Sequence, residues 1–142
     1  MTVLKNVAPS SYSKNNESPV KSELPINQWE KALIPINSTI QQAITCLDDA
    51  AMQIVMVIDK RKELVGTITD GDIRRAIDKS NYFFDMTAQD FMSTDFISVI
   101  PNDLASECLK IMAEKKIGCL AVMQNKALVG IINQKDLVKL GI

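Results

Sequence analysis

The chain has 142 residues, 46% of them hydrophobic and 23% charged, the profile of one soluble globular domain or of two very small ones sharing a core. Its formal net charge is -1, with Lys and Arg scattered among Asp and Glu, so no basic face exists to neutralise a phosphate backbone and nucleic acid is not an expected partner. The absence of histidine removes the commonest general base and metal ligand, and no Gly-x-Ser-x-Gly, glycine-rich phosphate loop or Cys/His pair is present, which disfavours both a metal site and an enzyme.

Residues 1–25 are rich in Ser, Asn, Lys and Pro without periodicity and are read as a disordered arm or a linker from a longer polypeptide. They lack the apolar core of a signal peptide, and no later apolar run reaches the roughly 18 residues of a spanning helix, so no membrane contact and a cytoplasmic location are expected. Cys46, Cys108 and Cys119 stand singly in apolar segments and suit buried free thiols in a reducing compartment. Trp29, the only tryptophan, opens the folded part and is read as an anchor for the arm or, alternatively, as part of a dimer contact.

Ser38 with Gln41 three positions on resembles a capping box, and Ile40, Ala43, Ile44 and Leu47 then fall on one apolar helix face. Ile54 to Ile58 is a continuous, largely β-branched run, as expected of a strand buried on both faces. After a polar turn Val65 to Thr69 forms a second strand, and Asp70 to Ile77 a second helix with Ile73, Ala76 and Ile77 inward. Tyr82, Phe83 and Phe84 are expected to pack between this unit and the next or, as an exposed aromatic connector, to meet a partner.

The plan then recurs. Leu104, Cys108, Ile111 and Met112 mark a helix, Leu120 to Met123 and Val129 to Asn133 two strands, and Lys135 to Leu140 a short helix closed by Gly141. Leu64-Val65-Gly66 through Ile73 aligns with Leu128-Val129-Gly130 through Leu137 at a shift of 64, whereas upstream Asn37, Leu47, Met52 and Val57 align with Asn102, Met112, Ile117 and Val122 at a shift of 65. The residue lost falls in the hairpin turn, where a change of length is tolerated. The repeats are placed at 26–84 and 85–142; either alone buries too little surface to be stable. Met52, Met56, Met112 and Met123 are read as core filler.

Leu-x-Gly-x-x-Thr-x-x-Asp-Ile at 64–73 and its partial echo at 128–137 resemble the signature of CBS domains, which occur as tandem pairs. The resemblance covers Trp29 to Ile142 and implies an α/β (α+β) fold of two repeats packed with pseudo-twofold symmetry. Phe91-Met92-Ser93, Gly66 through Arg75 and Val129 through Ile142 look like the CBS pair of arabinose 5-phosphate isomerases; Trp29 through Ile34 with the same Gly66 to Arg75 segment looks like that of sugar-phosphate nucleotidyltransferases. Neither catalytic domain is present. The resemblance therefore implies a non-catalytic regulatory module, a likeness to pathways of surface polysaccharides, and a linked or partner isomerase or nucleotidyltransferase domain.

Thr69 stands where strand gives way to helix and Asp72 one turn on, so hydroxyl and carboxylate are expected to face one cleft between the repeats beside the open amides of the helix start. A carboxylate can take both hydroxyls of a ribose while the helix start and a hydroxyl suit a phosphate. The resemblance carries these roles to Thr69 and Asp72, and to Asp136 in the second repeat. There Asn133 replaces the hydroxyl residue and Lys135 replaces Gly71, which leaves that site either altered or empty. Asp70 disfavours a polyphosphate unless Arg74, Arg75 or a cation offsets it, so AMP, ADP or a CMP-sugar is the expected ligand class, and no cofactor is required. The competing reading makes Thr69 and Asp70 mere helix caps, with Asp72 complementing the helix dipole in the first turn, and Arg74 or Arg75 a solvated charge. Two functions follow: a nucleotide sensor, or a homodimerising structural element with vestigial sites.

Overall fold

The computed structural model describes residues 2–3, 19, 29–50 and 52–139. In chain order it contains β1 (Thr2–Val3), a 3-10 turn (Trp29–Ala32), β2 (Leu33–Pro35), α1 (Ile40–Ala50), β3 (Val55–Ile58), β4 (Leu64–Ile68), α2 (Asp70–Lys79), a 3-10 turn (Phe83–Asp85), α3 (Ala88–Phe91), β5 (Ile97–Val99), α4 (Ala105–Lys115), β6 (Cys119–Gln124), β7 (Ala127–Asn133) and α5 (Gln134–Lys139). The fold is α+β, and each repeat runs strand, helix, strand, strand, helix.

In the first, β2 pairs parallel with β3, and β3 antiparallel with β4. In the second, β5, β6 and β7 repeat this arrangement, and β1 adds a fourth, parallel strand beside β5. The opening parallel strands β2 and β5 were not expected from the sequence. Three residues are too few for a period-2 signal, and β2 ends in Pro35, which reads as a breaker. A parallel neighbour needs a helical crossover, and α1 and α4 supply it.

The two cores are built on matching positions. Ile34, Ile40, Val55, Val57, Ile68 and Ile73 are buried together in the first repeat; their counterparts Val99, Ala105, Leu120, Val122, Ile132 and Leu137 are buried together in the second. All four methionines assigned to the core are buried. Both hairpins also slip register at the same place, after Val57 and after Val122. The lost residue is taken up beyond that slip. In the first turn Asp59 Oδ1 accepts the N–H groups of Arg61 (2.9 Å) and Glu63 (3.0 Å), with Lys62 left-handed at φ 64. The second turn is a tight pair of left-handed residues, Asn125 (φ 53) and Lys126 (φ 71), as a two-residue hairpin requires.

By packing, Asn27–Phe96 form one unit and 97–142 belong to another, to which Thr2–Val3 pair through β5 and Pro19 bridges at Leu104. Residues 85–96 precede the second core in sequence yet pack on the first unit. These include α3, and Ser93 pairs with Thr67 through two backbone hydrogen bonds of 2.9 and 2.8 Å.

Several local expectations are corrected. The cap of α1 is Thr39, whose N–H donates to Gln42 Oε1 at 2.8 Å while Gln42 N–H donates to Thr39 Oγ1 at 3.1 Å. Ser38, assigned that role from sequence, is buried instead, its N–H bound to the Pro35 carbonyl. Helix α2 continues to Lys79, and Ile77 is 46% exposed because Ile73 and Ala76 already fill the inward stripe. Of the two readings of the aromatic connector, exposure holds for Tyr82 and Phe84, while Phe83 packs against the first core. The expected closure at Leu140 and Gly141 lies outside the described residues.

Candidate functional site

Strand β4 ends at Ile68 and α2 begins at Asp70, so Thr69 is the hinge, in extended backbone at φ -116 and ψ 172. A helix leaves its first N–H groups without intrahelical partners, and Thr69 and Asp72 answer this as a capping box. Thr69 N–H donates to Asp72 Oδ2 at 2.9 Å, and its hydroxyl donates to the same oxygen at 3.1 Å. Asp72 is 6% exposed, and its other oxygen is also taken: Ser93 Oγ donates to Oδ1 at 2.8 Å and Arg75 at 2.7 Å. The capping expected of Thr69 thus involves Asp72, for which the sequence suggests a dipole-complementing or ligand-binding role, as its partner in the box.

Arg74, expected near the ligand, is paired to Asp70 at 2.6 Å on the surface. The two arginines therefore neutralise the two carboxylates of the first turn, one each. Beside Thr69 lies a hollow of about 440 Å³ lined by Leu47, Gln53, Thr69, Asp70 and Gly71. Gln53 enters it from a left-handed turn at φ 67. Glycine at 66 has a packing reason: a Cβ there would run into the Met92 side chain, next to the Thr67 and Ser93 pairing.

The second repeat builds a sparser junction. Asn133, 9% exposed, caps α5 by accepting the Lys135 N–H at 2.7 Å, and Gln134 N–H goes to the Gly118 carbonyl at 2.8 Å. Asp136 is half-buried and has no hydrogen bond or ion pair among the described residues; Lys135 is exposed. Both lie close enough to Cys119 to act on it: burial pushes that thiol up to about 12, with Asp136 adding to the rise and Lys135 opposing it. Deeper in this unit Ser98 Oγ and Asp103 Oδ1 are buried without hydrogen-bond partners among the described residues. Asp103 Oδ2 accepts the Ile100 N–H at 2.8 Å, and burial raises its carboxyl while that bond lowers it. Among the described residues no group of three or more Cys, Asp or Glu gathers to hold a metal, and no helix is long and apolar enough to cross a membrane.

Sequence reasoning named Thr69 and Asp72 but missed Ser93 and Gln53. Ser93 is 21 positions from Asp72, and no periodicity links residues that far apart; its only trace was its place in the Phe91-Met92-Ser93 segment.

The family model for the CBS domain matches residues 30–79 and 88–141, most of the chain. The chain belongs to the CBS domain family. Among curated relatives it is 32% identical over 108 residues to arabinose 5-phosphate isomerase KdsD of Pseudomonas aeruginosa, and 26% identical over 106 residues to KdsD of Yersinia pestis. Each alignment takes 75% of this chain but only 33% and 32% of the relative, so the chain spans about a third of the length of these enzymes. Among solved structures, the CBS-domain containing protein ATU1752 of Agrobacterium tumefaciens superposes with TM-score 0.79 at 21% identity, covering 94% of this chain and 100% of that one. The CBS domain pair of protein MJ0100, solved in complex with 5′-methylthioadenosine and S-adenosyl-L-methionine, superposes with TM-score 0.72 at 22% identity, covering 88% and 96%. At these identities the two structures establish the shared fold.

Proposed function

We propose that this CBS pair is a cytoplasmic, non-catalytic regulatory module that takes an adenosine-like nucleotide or a nucleotide-sugar at the junction of β4 and α2. The observation that carries this is the hollow beside Thr69, Asp70 and Gly71, where the first N–H groups of α2 lack intrahelical partners. A phosphate suits those amides and the Thr69 hydroxyl, and the vicinal hydroxyls of a ribose suit the Asp72 carboxylate, which lines a second hollow with Arg75 and Met92. Arg74 offsets Asp70, which limits the negative charge the junction tolerates and favours AMP, ADP or a CMP-sugar over a triphosphate. The adenosine ligands of the MJ0100 pair support that class. The relationship to KdsD supports a linked sugar-phosphate isomerase as the partner whose activity responds to occupancy, with a nucleotidyltransferase as the other candidate. In the second repeat Asn133, Lys135 and Asp136 form the corresponding, weaker site.

A ligand that binds only the folded state stabilises it by about 2.7 kcal/mol at a hundredfold excess over Kd. Thermal unfolding with AMP, ADP and a CMP-sugar therefore tests the proposal: at least one raises Tm, and Thr69→Val abolishes the gain. No shift with any of them refutes it. The exposed Ile77, Tyr82 and Phe84 favour a second reading, a homodimerising element. Light scattering decides it, since Ile77→Glu yields monomers only if that face is an interface.

A further inference from the structure

A carboxylate offers about four lone-pair positions, and on Asp72 all four are filled. A ligand diol therefore reaches Asp72 only by displacing donors already there. The two on Oδ2 come from Thr69 and belong to the helix cap, so losing them frays α2. The two on Oδ1 come from outside the cap. Arg75 is a half-solvated side chain that water readily replaces, and Ser93 belongs to the segment that joins the repeats.

We propose that Asp72 is a latch: with its ligand position unoccupied it fastens the connector at Met92–Ser93 to α2 through Ser93 Oγ, and a ligand whose vicinal hydroxyls claim Oδ1 releases that fastening. The inference rests on the diol role proposed for Asp72 and adds the means by which occupancy is read out. Once the side-chain bond is gone, the hydrogen bonds among the described residues that still hold Ser93 to β4 are its two backbone bonds with Thr67. Those bonds form an isolated bridge and no longer ladder supports them, so their opening reports the state of the latch. Released from Asp72, Arg75 becomes available to an anionic group of the ligand. The connector leads directly into β5, the first core strand of the second repeat.

Amide hydrogen exchange at Thr67 and Ser93 in the full chain tests this, using Ser93→Ala, Ser93→Thr and wild type, each with AMP, with 2′,3′-dideoxy-AMP and without nucleotide. Without nucleotide, Ser93→Ala exchanges about tenfold faster than wild type at these amides, the loss of one hydrogen bond to a charged group, and Ser93→Thr restores protection. AMP accelerates exchange in wild type towards the Ser93→Ala level and adds nothing in Ser93→Ala, which binds AMP several-fold more tightly; the dideoxy nucleotide leaves the amides protected. Equal exchange in nucleotide-free wild type and Ser93→Ala overturns the latch, as does AMP that binds wild type without accelerating these amides. If AMP binds none of the proteins, the ligand reading fails, and the nucleotide-free comparison still decides whether Ser93 fastens the connector.

Discussion

The two repeats carry nearly the same core and very different polar positions. In the first, Asp72 is buried under four donors drawn from its own helix, its cap residue and a segment 21 residues away. In the second, the equivalent Asp136 has no such partners among the described residues, and the buried polar groups lie elsewhere. Ser98 and Asp103 occupy the positions of Leu33 and Ser38, so the second unit buries a hydroxyl and a carboxylate where the first has an aliphatic side chain and a small hydroxyl. Duplicated apolar positions are constrained by the shared packing problem. Polar positions are constrained only by what each site does, and they have diverged.

The sharpest contrast to break is Asp72 against Asp136. Asp72→Ala leaves buried donors unpaired and removes half of a capping box, for an expected loss of about 2–3 kcal/mol in urea unfolding, whereas Asp136→Ala changes stability by less than about 0.5 kcal/mol. Equal losses would erase the distinction between the two junctions. Next, Gly66→Ala forces Met92 aside and costs about 1–2 kcal/mol; Met92→Ala in the same chain recovers part of it, as a double-mutant cycle on thermal melts would show.

Asp103 gives an effect of opposite sign, on the order of 1 kcal/mol. Because burial raises its carboxyl in the folded state, folding favours the protonated form. The contribution is full below the ordinary value of 3.8 and is lost as pH rises through the raised folded value. Asp103→Ser, which restores the residue type of Ser38, should therefore raise Tm at pH 7 and flatten the decline in Tm as pH rises above the ordinary carboxyl value of 3.8. A lower Tm at pH 7 would show that the orphaned oxygen has a partner worth keeping. The smallest effect is expected at Arg74: both members of its pair with Asp70 are mostly solvated, so Arg74→Ala alters stability by less than about 0.5 kcal/mol.

Much of this architecture was legible in the residues. The double shift of 64 and 65 located both repeats and the shortened turn, because the loss falls where Lys62 alone gives way to the left-handed pair Asn125 and Lys126. The inward faces of α1 and α4 followed from their spacing. What escaped were β2 and β5, too short for a pattern, and the cap of α1, where Ser38-Gln41 and Thr39-Gln42 fit the same template and only the fold chose between them. The hydroxyl and carboxylate of the candidate site were named, but not the connector serine that holds the carboxylate.

Sequence alone determined that one helix, strand, strand, helix plan is written twice around matching apolar positions, since burial periodicity is a local property that the chain carries in its order of residues. Tertiary structure decided that residues 85–96 pack on the first unit and that Asp72 is spoken for by Ser93. Hydrogen bonds between distant residues depend on how elements close on one another in space, and spacing along the chain does not encode that.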